Sequence, residues 1–120
     1  MMTPLEGKAG ELGRMIGQSA EYQAVKRTTD AIGNDRDAAT LVRTLDKLRS
    51  DAQSLIERGE QPTPEMERQL EELLDKVQSN SVYQNALVAQ ENFDKLMLRV
   101  NEWILEGIQK GSTSPIITLG

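Results

Sequence analysis

Residues 59–74 read GEQPTPEMERQLEELL, and this stretch decides the fold because it predicts a sharp turn between two helices. Gly59 favours a helix end, and Pro62 cannot continue a helix. Thr63 followed by Pro64 is typical of a helix start, where threonine caps free N–H groups and proline occupies a position that needs no N–H. We therefore expect an antiparallel helical hairpin with its tip at these residues.

Apolar residues recur in steps of three and four on both sides of this turn, which is the spacing of amphipathic helices. The same spacing continues in an N-terminal segment of residues 5–32, interrupted near Ser19, and in a C-terminal segment of residues 82–110. The spacing suits both a coiled-coil-like, intertwined bundle and an ordinary globular bundle. The sequence therefore predicts an all-α protein, a long antiparallel helical hairpin with a packed N-terminal helical segment, assembled as an oligomeric bundle.

Short polar or glycine-containing breaks separate the predicted helices. Gly33 favours a helix end, and Asn34 favours the cap of the next helix. Gly111 favours the end of the last helix. The start of that helix is expected to be capped by Ser79, Asn80 or Ser81. The large apolar side chains expected to be mostly buried in the assembled protein are Leu45, Leu48, Leu70, Leu74, Phe93 and Leu96.

The last predicted helix is too long for a compact domain of this size. Residues 82–110 span about 43 Å at 1.5 Å per residue, whereas a compact chain of 120 residues has a radius of gyration of about 14 Å. Because the apolar stripe continues to the far end, we expect a second copy of the chain to cover it in a dimer or tetramer. The alternative is that residues 5–16 fold over this end within one chain. The interface candidates are Phe93, Val100, Trp103, Ile104 and Ile108.

The C-terminal sequence GSTSPIITLG differs from the helical part. Pro115 blocks a helix, and the residues after it are apolar and uncharged. We interpret residues 1–111 as a single helical domain and residues 112–120 as a flexible tail. The alternative is a peptide that docks by strand addition or in an apolar groove. The tail docking candidates are Ile116, Ile117 and Leu119.

Most familiar catalytic and metal sites are excluded by composition. The chain has no histidine and no cysteine, so a Ser-His-Asp triad and a thiolate metal site are ruled out. No phosphate-binding glycine loop is present. The carboxylates that cluster at helical spacing are more typical of a solvated face than of a metal site. We therefore expect a protein that is not an enzyme and that binds no cofactor or metal.

Charge and hydropathy limit the partners. The formal net charge is −5 and the basic residues are scattered, whereas nucleic-acid binding requires a basic patch. An acidic chain is also repelled by an anionic membrane surface. The N-terminus lacks the apolar run of a signal peptide, and no segment has the roughly 20 apolar residues that cross a bilayer. We expect a cytoplasmic protein that contacts neither nucleic acid nor membrane directly.

The order of these motifs resembles the YlbF/YmcA family of small bacterial regulators over about residues 5–110. Ala9, Leu12, Ile16, Ser19 and Tyr22 resemble its opening pattern, and NDRDA at residues 34–38 resembles its usual NDPEA helix start. The hairpin tip and closing helix match at residues that include Gly59, Leu70, Leu74, Val77, Asn80, Glu91, Phe93, Leu96, Val100, Asn101, Ile104 and Ile108.

The resemblance implies a helical, oligomeric regulatory adaptor without catalytic residues. Its protein partners would form an RNA-processing complex that modulates an endoribonuclease and thereby competence, sporulation and biofilm formation. Some family complexes hold iron–sulfur clusters through cysteines, and this chain has no thiolate to ligate one. Arg36 and Ser81 stand where the family commonly has proline. A rival function is an oligomeric helical scaffold, or cargo, that the apolar tail recruits to a larger assembly.

Overall fold

The computed structural model describes residues 3–113 and consists, over that range, of five helices without a strand. The all-α prediction is therefore confirmed. In chain order the helices are α1 (Pro4–Gly17), α2 (Ala20–Asn34), α3 (Arg36–Glu57), α4 (Pro64–Ser79) and α5 (Ser81–Thr113).

The turn between α3 and α4 forms as the sequence predicts. Gly59 has φ +76°, and the Glu60 N–H donates to the Leu55 carbonyl at 2.8 Å. This is the hydrogen bond of a Schellman motif, in which a left-handed glycine ends a helix. On the other side, the Thr63 hydroxyl accepts from the Met66 N–H at 3.2 Å. Glycine and threonine together thus end one helix and begin the next, and the chain reverses direction.

Other helix boundaries differ from the prediction. Asp35, not Asn34, caps α3, because its carboxylate accepts from the Ala38 N–H at 2.9 Å while Asn34 remains the last residue of α2. Of the three cap candidates for α5, Asn80 accepts from the Tyr83 N–H at 2.9 Å. Neither Gly33 nor Gly111 ends a helix, since both lie inside helical segments. A glycine in a helix costs only about 1 kcal/mol, which the continuing hydrogen bonds offset.

Two pairs of packed helices, α3 with α4 and α2 with α5, hold the chain together. α3 and α4 pack against each other around a small core, with Leu48 and Tyr83 at its edge. α2 lies along α5 in the most extensive helix pair of the fold, where Tyr22 meets Phe93 with ring centroids 5.6 Å apart. The buried residues of the α3–α4 core are Leu41, Leu45, Leu73 and Val77.

The predicted core residues do not all lie inside the single chain. Leu45 is buried, and Leu48, Phe93 and Leu96 are partly buried. Leu70 and Leu74 are exposed, contrary to the prediction if one chain is considered alone. The reason is that α3 covers the side of α4 that carries Leu73 and Val77, and no other helix within residues 3–113 buries the neighbouring side.

The molecule is elongated. Its radius of gyration is 20.9 Å and its longest dimension is 63 Å, whereas a compact chain of this length has a radius of gyration of about 14 Å. Residues 101–110 are exposed without exception, and α1 has no buried residue. The N-terminal segment therefore does not cover the far end of α5 within one chain, which removes the intramolecular alternative.

Candidate protein-interaction surfaces

The far end of α5 carries an apolar surface that no part of the described chain covers. We call Trp103, Ile104 and Ile108 the distal stripe; they are 58%, 44% and 59% exposed. At about 100° per residue, Trp103 and Ile104 continue the face of α5 that carries buried Ala89 and Val100 farther back. The distal stripe thus extends a helix-packing face from the part of α5 where it is buried into the part where it is exposed.

The five interface candidates divide into two groups. Val100 is buried within the chain, and Phe93 is partly buried against Tyr22. These two side chains pack inside the single chain, which leaves the distal stripe as the accessible part of the set. The periodicity of α5 could not separate the two groups, because the same spacing runs through both and they differ only in whether the rest of the chain covers them.

The side of α5 away from the distal stripe carries polar groups. Glu102 and Glu106 project from roughly the opposite side of α5, as their positions at about 100° per residue require. Gly107 lies on the same face as Trp103 and Ile104, and a Cβ atom built there meets nothing within 4 Å. A neighbouring helix could therefore approach the backbone closely at this point.

A second apolar surface is a groove between α3, α4 and the start of α5, with a volume of about 450 Å³. We call it the hairpin groove. Leu70 and Leu74, which the sequence placed in the core, form part of its wall. The spacing of apolar residues does not predict this groove, because the groove depends on the angle at which the helices meet. The residues lining it are Leu45, Leu48, Arg49, Ala52, Pro62, Met66, Glu67, Leu70, Leu74, Val77, Tyr83 and Leu87.

Charged side chains in the described part of the chain form surface pairs rather than a reactive site. Arg68 contacts Glu65 and donates to Glu72 at 2.7 Å. The hydrogen bond and charge of Glu65, and then the charge of Glu72, raise the pKa of Arg68 above its usual value. Within residues 3–113, acidic side chains form no group of three that could hold a metal ion. No helix in that range is long and apolar enough to cross a membrane.

The tail docking candidates Ile116, Ile117 and Leu119 lie outside the described residues. Most of the predicted tail, residues 112–120, lies there as well. The part that is described, residues 112 and 113, continues α5 as helix. The helix α5 thus continues two residues past Gly111.

Comparison with known proteins identifies the relatives of the chain. The family model described as "Control of competence regulator ComK, YlbF/YmcA" matches residues 5–109. A UPF0342 protein of Streptococcus gordonii is 26% identical over 108 residues, which are 90% of this chain and 96% of that protein. A UPF0342 protein of Streptococcus agalactiae is 34% identical over 74 residues, which are 62% and 67% of the two chains.

A similar fold occurs in a crystal structure of Bacillus subtilis RicA in complex with RicF. The superposition gives a TM-score of 0.71 at 18% sequence identity and covers 88% of this chain and 94% of that chain. At this identity the likeness establishes the helical architecture.

Proposed function

Because the chain belongs to the YlbF/YmcA family, we propose that it is a non-enzymatic, cytoplasmic regulatory adaptor that self-associates and binds other proteins. The observation that carries this proposal is the exposure of residues 101–110, where no described residue of the chain covers an apolar packing face. The family description, control of a competence regulator, supports a regulatory role. A protein of similar fold, RicA, forms a complex with RicF, which supports action through protein partners.

The distal stripe has the composition of an interface core. Aromatic residues dominate binding energy because they bury a large area with few rotatable bonds. Covering the exposed part of Trp103 removes about 100 Å² from water, which contributes roughly 2.5 kcal/mol per chain before the cost of association. Ile104 and Ile108 add to this contribution on both copies. Exposure of this apolar surface to water is therefore unfavourable. Burial against a partner with a similarly apolar surface removes that unfavourable free energy.

A second copy of the chain is the simplest partner for the distal stripe. In a two-fold arrangement each copy presents the same patch, so an apolar stripe faces an identical apolar stripe. We place the two-fold axis near Trp103 and Ile104, where two α5 helices cross antiparallel. Helices that pack side by side in this way have axes 8–10 Å apart.

The self-association test replaces Trp103 by Glu and Ile104 by Lys in one chain. We expect the wild type to scatter light as a dimer or larger species at tens of micromolar, and the double variant as a monomer with unchanged helicity. The control combines Glu102→Lys and Gln109→Glu, which introduces the same residue types on the opposite side of the same segment. A wild-type monomer at tens of micromolar would overturn the proposal, because a micromolar interface is largely assembled at that concentration.

The finer proposal is that the partner proteins belong to a complex that controls endoribonuclease-dependent mRNA processing, and with it competence, sporulation and biofilm formation. It rests on the family resemblance. Affinity capture from the source cells tests it: the full-length protein should retain the processing endoribonuclease or its accessory proteins, and deletion of residues 112–120 should not remove them all. Loss of every partner on that deletion would favour the rival, a scaffold or cargo recruited through its tail.

A further inference from the structure

Two apolar surfaces of the chain match each other and stand open in the single chain. α1 has no buried residue, and its Leu5 and Met15 are 81% and 68% exposed. The hairpin groove has Leu70 and Leu74 exposed in its wall, and α1 contributes no residue to its lining. We propose that the hairpin groove binds α1 of a second copy of the chain, as a self-association site separate from the distal stripe.

The apolar side chains of α1 and of the α4 wall have the same spacing. Four apolar residues of α1 lie within about 60° of one another around the helix axis and span eleven positions, or about 17 Å. Four groove residues of α4 span eleven positions as well. An α1 helix that lies parallel to α4 therefore places each of its apolar residues beside one from α4. The resulting pairs are Leu5 with Met66, Ala9 with Leu70, Leu12 with Leu74, and Ile16 with Val77.

Charged residues beside the two surfaces are complementary, and they select this parallel direction. At about 100° per residue, Glu6 lies on one side of the apolar face of α1 and Lys8 on the other. In the groove, Arg49 lies on the α3 wall and Glu67 on the α4 wall. Because all these helices are right-handed, only the direction parallel to α4 brings Glu6 towards Arg49 and Lys8 towards Glu67. The contact of Lys8 with Glu11 at 3.5 Å is an exposed pair that contributes little.

The chain's own α1 is held away from its own groove. The Gln23 side chain donates to the Gly17 carbonyl at 2.8 Å, which ties the end of α1 to the start of α2. At that start, Tyr22 packs against Phe93 of α5. Phe93 lies about 120° around the axis of α5 from the groove residue Leu87. Since α1 begins from another side of α5, the α1 that docks is that of a second copy.

The size of the contact predicts a weak, reversible association. If a third of the circumference of α1 docks, roughly 250 Å² of this helix and a similar area of the groove are covered. A two-fold pair of such contacts buries about 1,000 Å², less than the roughly 1,200 Å² of stable interfaces. This contact alone therefore leaves the Trp103→Glu, Ile104→Lys variant monomeric at tens of micromolar. In the wild type it joins pairs held by the distal stripe into larger species.

Cysteine cross-linking tests the docking, since the chain has no cysteine of its own. One full-length chain carries Leu12→Cys in α1 and the other Leu74→Cys in the groove. The control partner carries Gln69→Cys, an exposed position on the other side of α4. The chains are mixed equally at about 1 mM, where a weak complex is well populated, and briefly oxidised. We expect the 12–74 disulfide to form about tenfold faster than the 12–69 disulfide, because docking raises the local concentration of the pair. The same preference should appear in the Trp103→Glu, Ile104→Lys background.

A charge exchange and a second cysteine pair test the direction of α1. Arg49→Glu in the chain that supplies the groove should lower the 12–74 rate about threefold, because Glu6 then meets a like charge. Adding Glu6→Arg to the chain that supplies α1 should restore the rate. In the parallel direction, Leu5→Cys should link faster to Met66→Cys, near the hairpin tip, than to Leu87→Cys, at the other end of the groove. Far-ultraviolet circular dichroism checks that each variant keeps the helicity of the wild type.

The outcomes separate this proposal from association through the distal stripe. Equal 12–74 and 12–69 rates in a protein that light scattering shows to be dimeric would overturn α1 docking and leave the distal stripe intact. A tenfold preference in a wild type that is monomeric at tens of micromolar would support α1 docking and overturn the distal stripe. Faster linking of position 5 to position 87 than to position 66 would overturn the proposal, since the charge pairing would be absent. A chain carrying both Leu12→Cys and Leu74→Cys that links within itself as a dilute monomer would overturn the second copy as the source of α1.

Discussion

Two adjacent leucines on α4 provide a sharp test of the packing, because the structure places them in opposite environments. Leu73 is 6% exposed in the core between α3 and α4, whereas Leu74 is 47% exposed in the wall of the hairpin groove. Both belong to the same helix turn and have the same helix propensity. Replacing each by alanine therefore compares burial alone.

The expected magnitudes follow from the burial of each side chain. Leucine to alanine removes three carbon groups, each contributing about 0.8 kcal/mol when buried, or about 2.4 kcal/mol in all. For Leu73 nearly all of this is lost and a cavity is left, so we expect about 3 kcal/mol, within the usual range for buried leucines. For Leu74 about half is lost and solvent fills the space, so we expect roughly 1.3 kcal/mol in the single chain.

Urea unfolding followed by far-ultraviolet circular dichroism measures these losses as changes in midpoint at constant slope. Both variants are best compared in the Trp103→Glu, Ile104→Lys background, because association adds stability that depends on concentration.

Equal losses for the two leucines in the monomeric background would refute the register of α4 against α3. A larger loss for Leu74→Ala than for Leu73→Ala would show that the helix is rotated by about 100° from the orientation described. Either result would also remove the hairpin groove as a surface.

Two further predictions concern the ends of helices. In urea unfolding, Thr63→Ala should lower the free energy of unfolding by about 1 kcal/mol, because the Met66 N–H loses its acceptor. Thr63→Ser should retain most of that stability, and equal losses for the two variants would refute the cap. Gly59→Ala should lower the thermal midpoint, at a cost of about 1–2 kcal/mol, because of its positive φ. Gly33→Ala should raise the thermal midpoint, with a gain of roughly 1 kcal/mol in the free energy of unfolding, since its Cβ meets no atom within 4 Å. A lower midpoint for this variant would contradict a helix at Gly33.

Much of the fold was predictable because its signals are local. The glycine and proline positions around residues 59–64 fix a turn through backbone geometry that needs no distant contact. Threonine at position 63 caps its own helix through a neighbour three residues away. The choice between Asn34 and Asp35 as the cap of α3 was missed, because both residue types cap well and the preceding helix simply ran one residue farther.

The candidate surfaces were predictable only in part. Periodicity marked the whole stripe from Phe93 to Ile108 as apolar, but it could not show where the chain's own α2 stops covering it. It also treated Leu70, Leu73 and Leu74 as one buried group, although only Leu73 is buried in the single chain. When an apolar stripe is wider than the contact that one neighbouring helix makes, some of its residues stay exposed. Which residues stay exposed depends on the direction from which the neighbouring helix packs.

By itself, then, the sequence determined the number of long helices, the hairpin turn, the length of α5 and the absence of histidine and cysteine chemistry. These follow from local hydrogen bonding, backbone restrictions and composition. Only the tertiary structure decided that Val100 faces inward while Trp103 stays exposed, and that Leu74 lines a groove. The physical reason is that burial depends on where one helix ends relative to another and on the angle between them, and neither quantity is encoded in the spacing of apolar residues along a single helix.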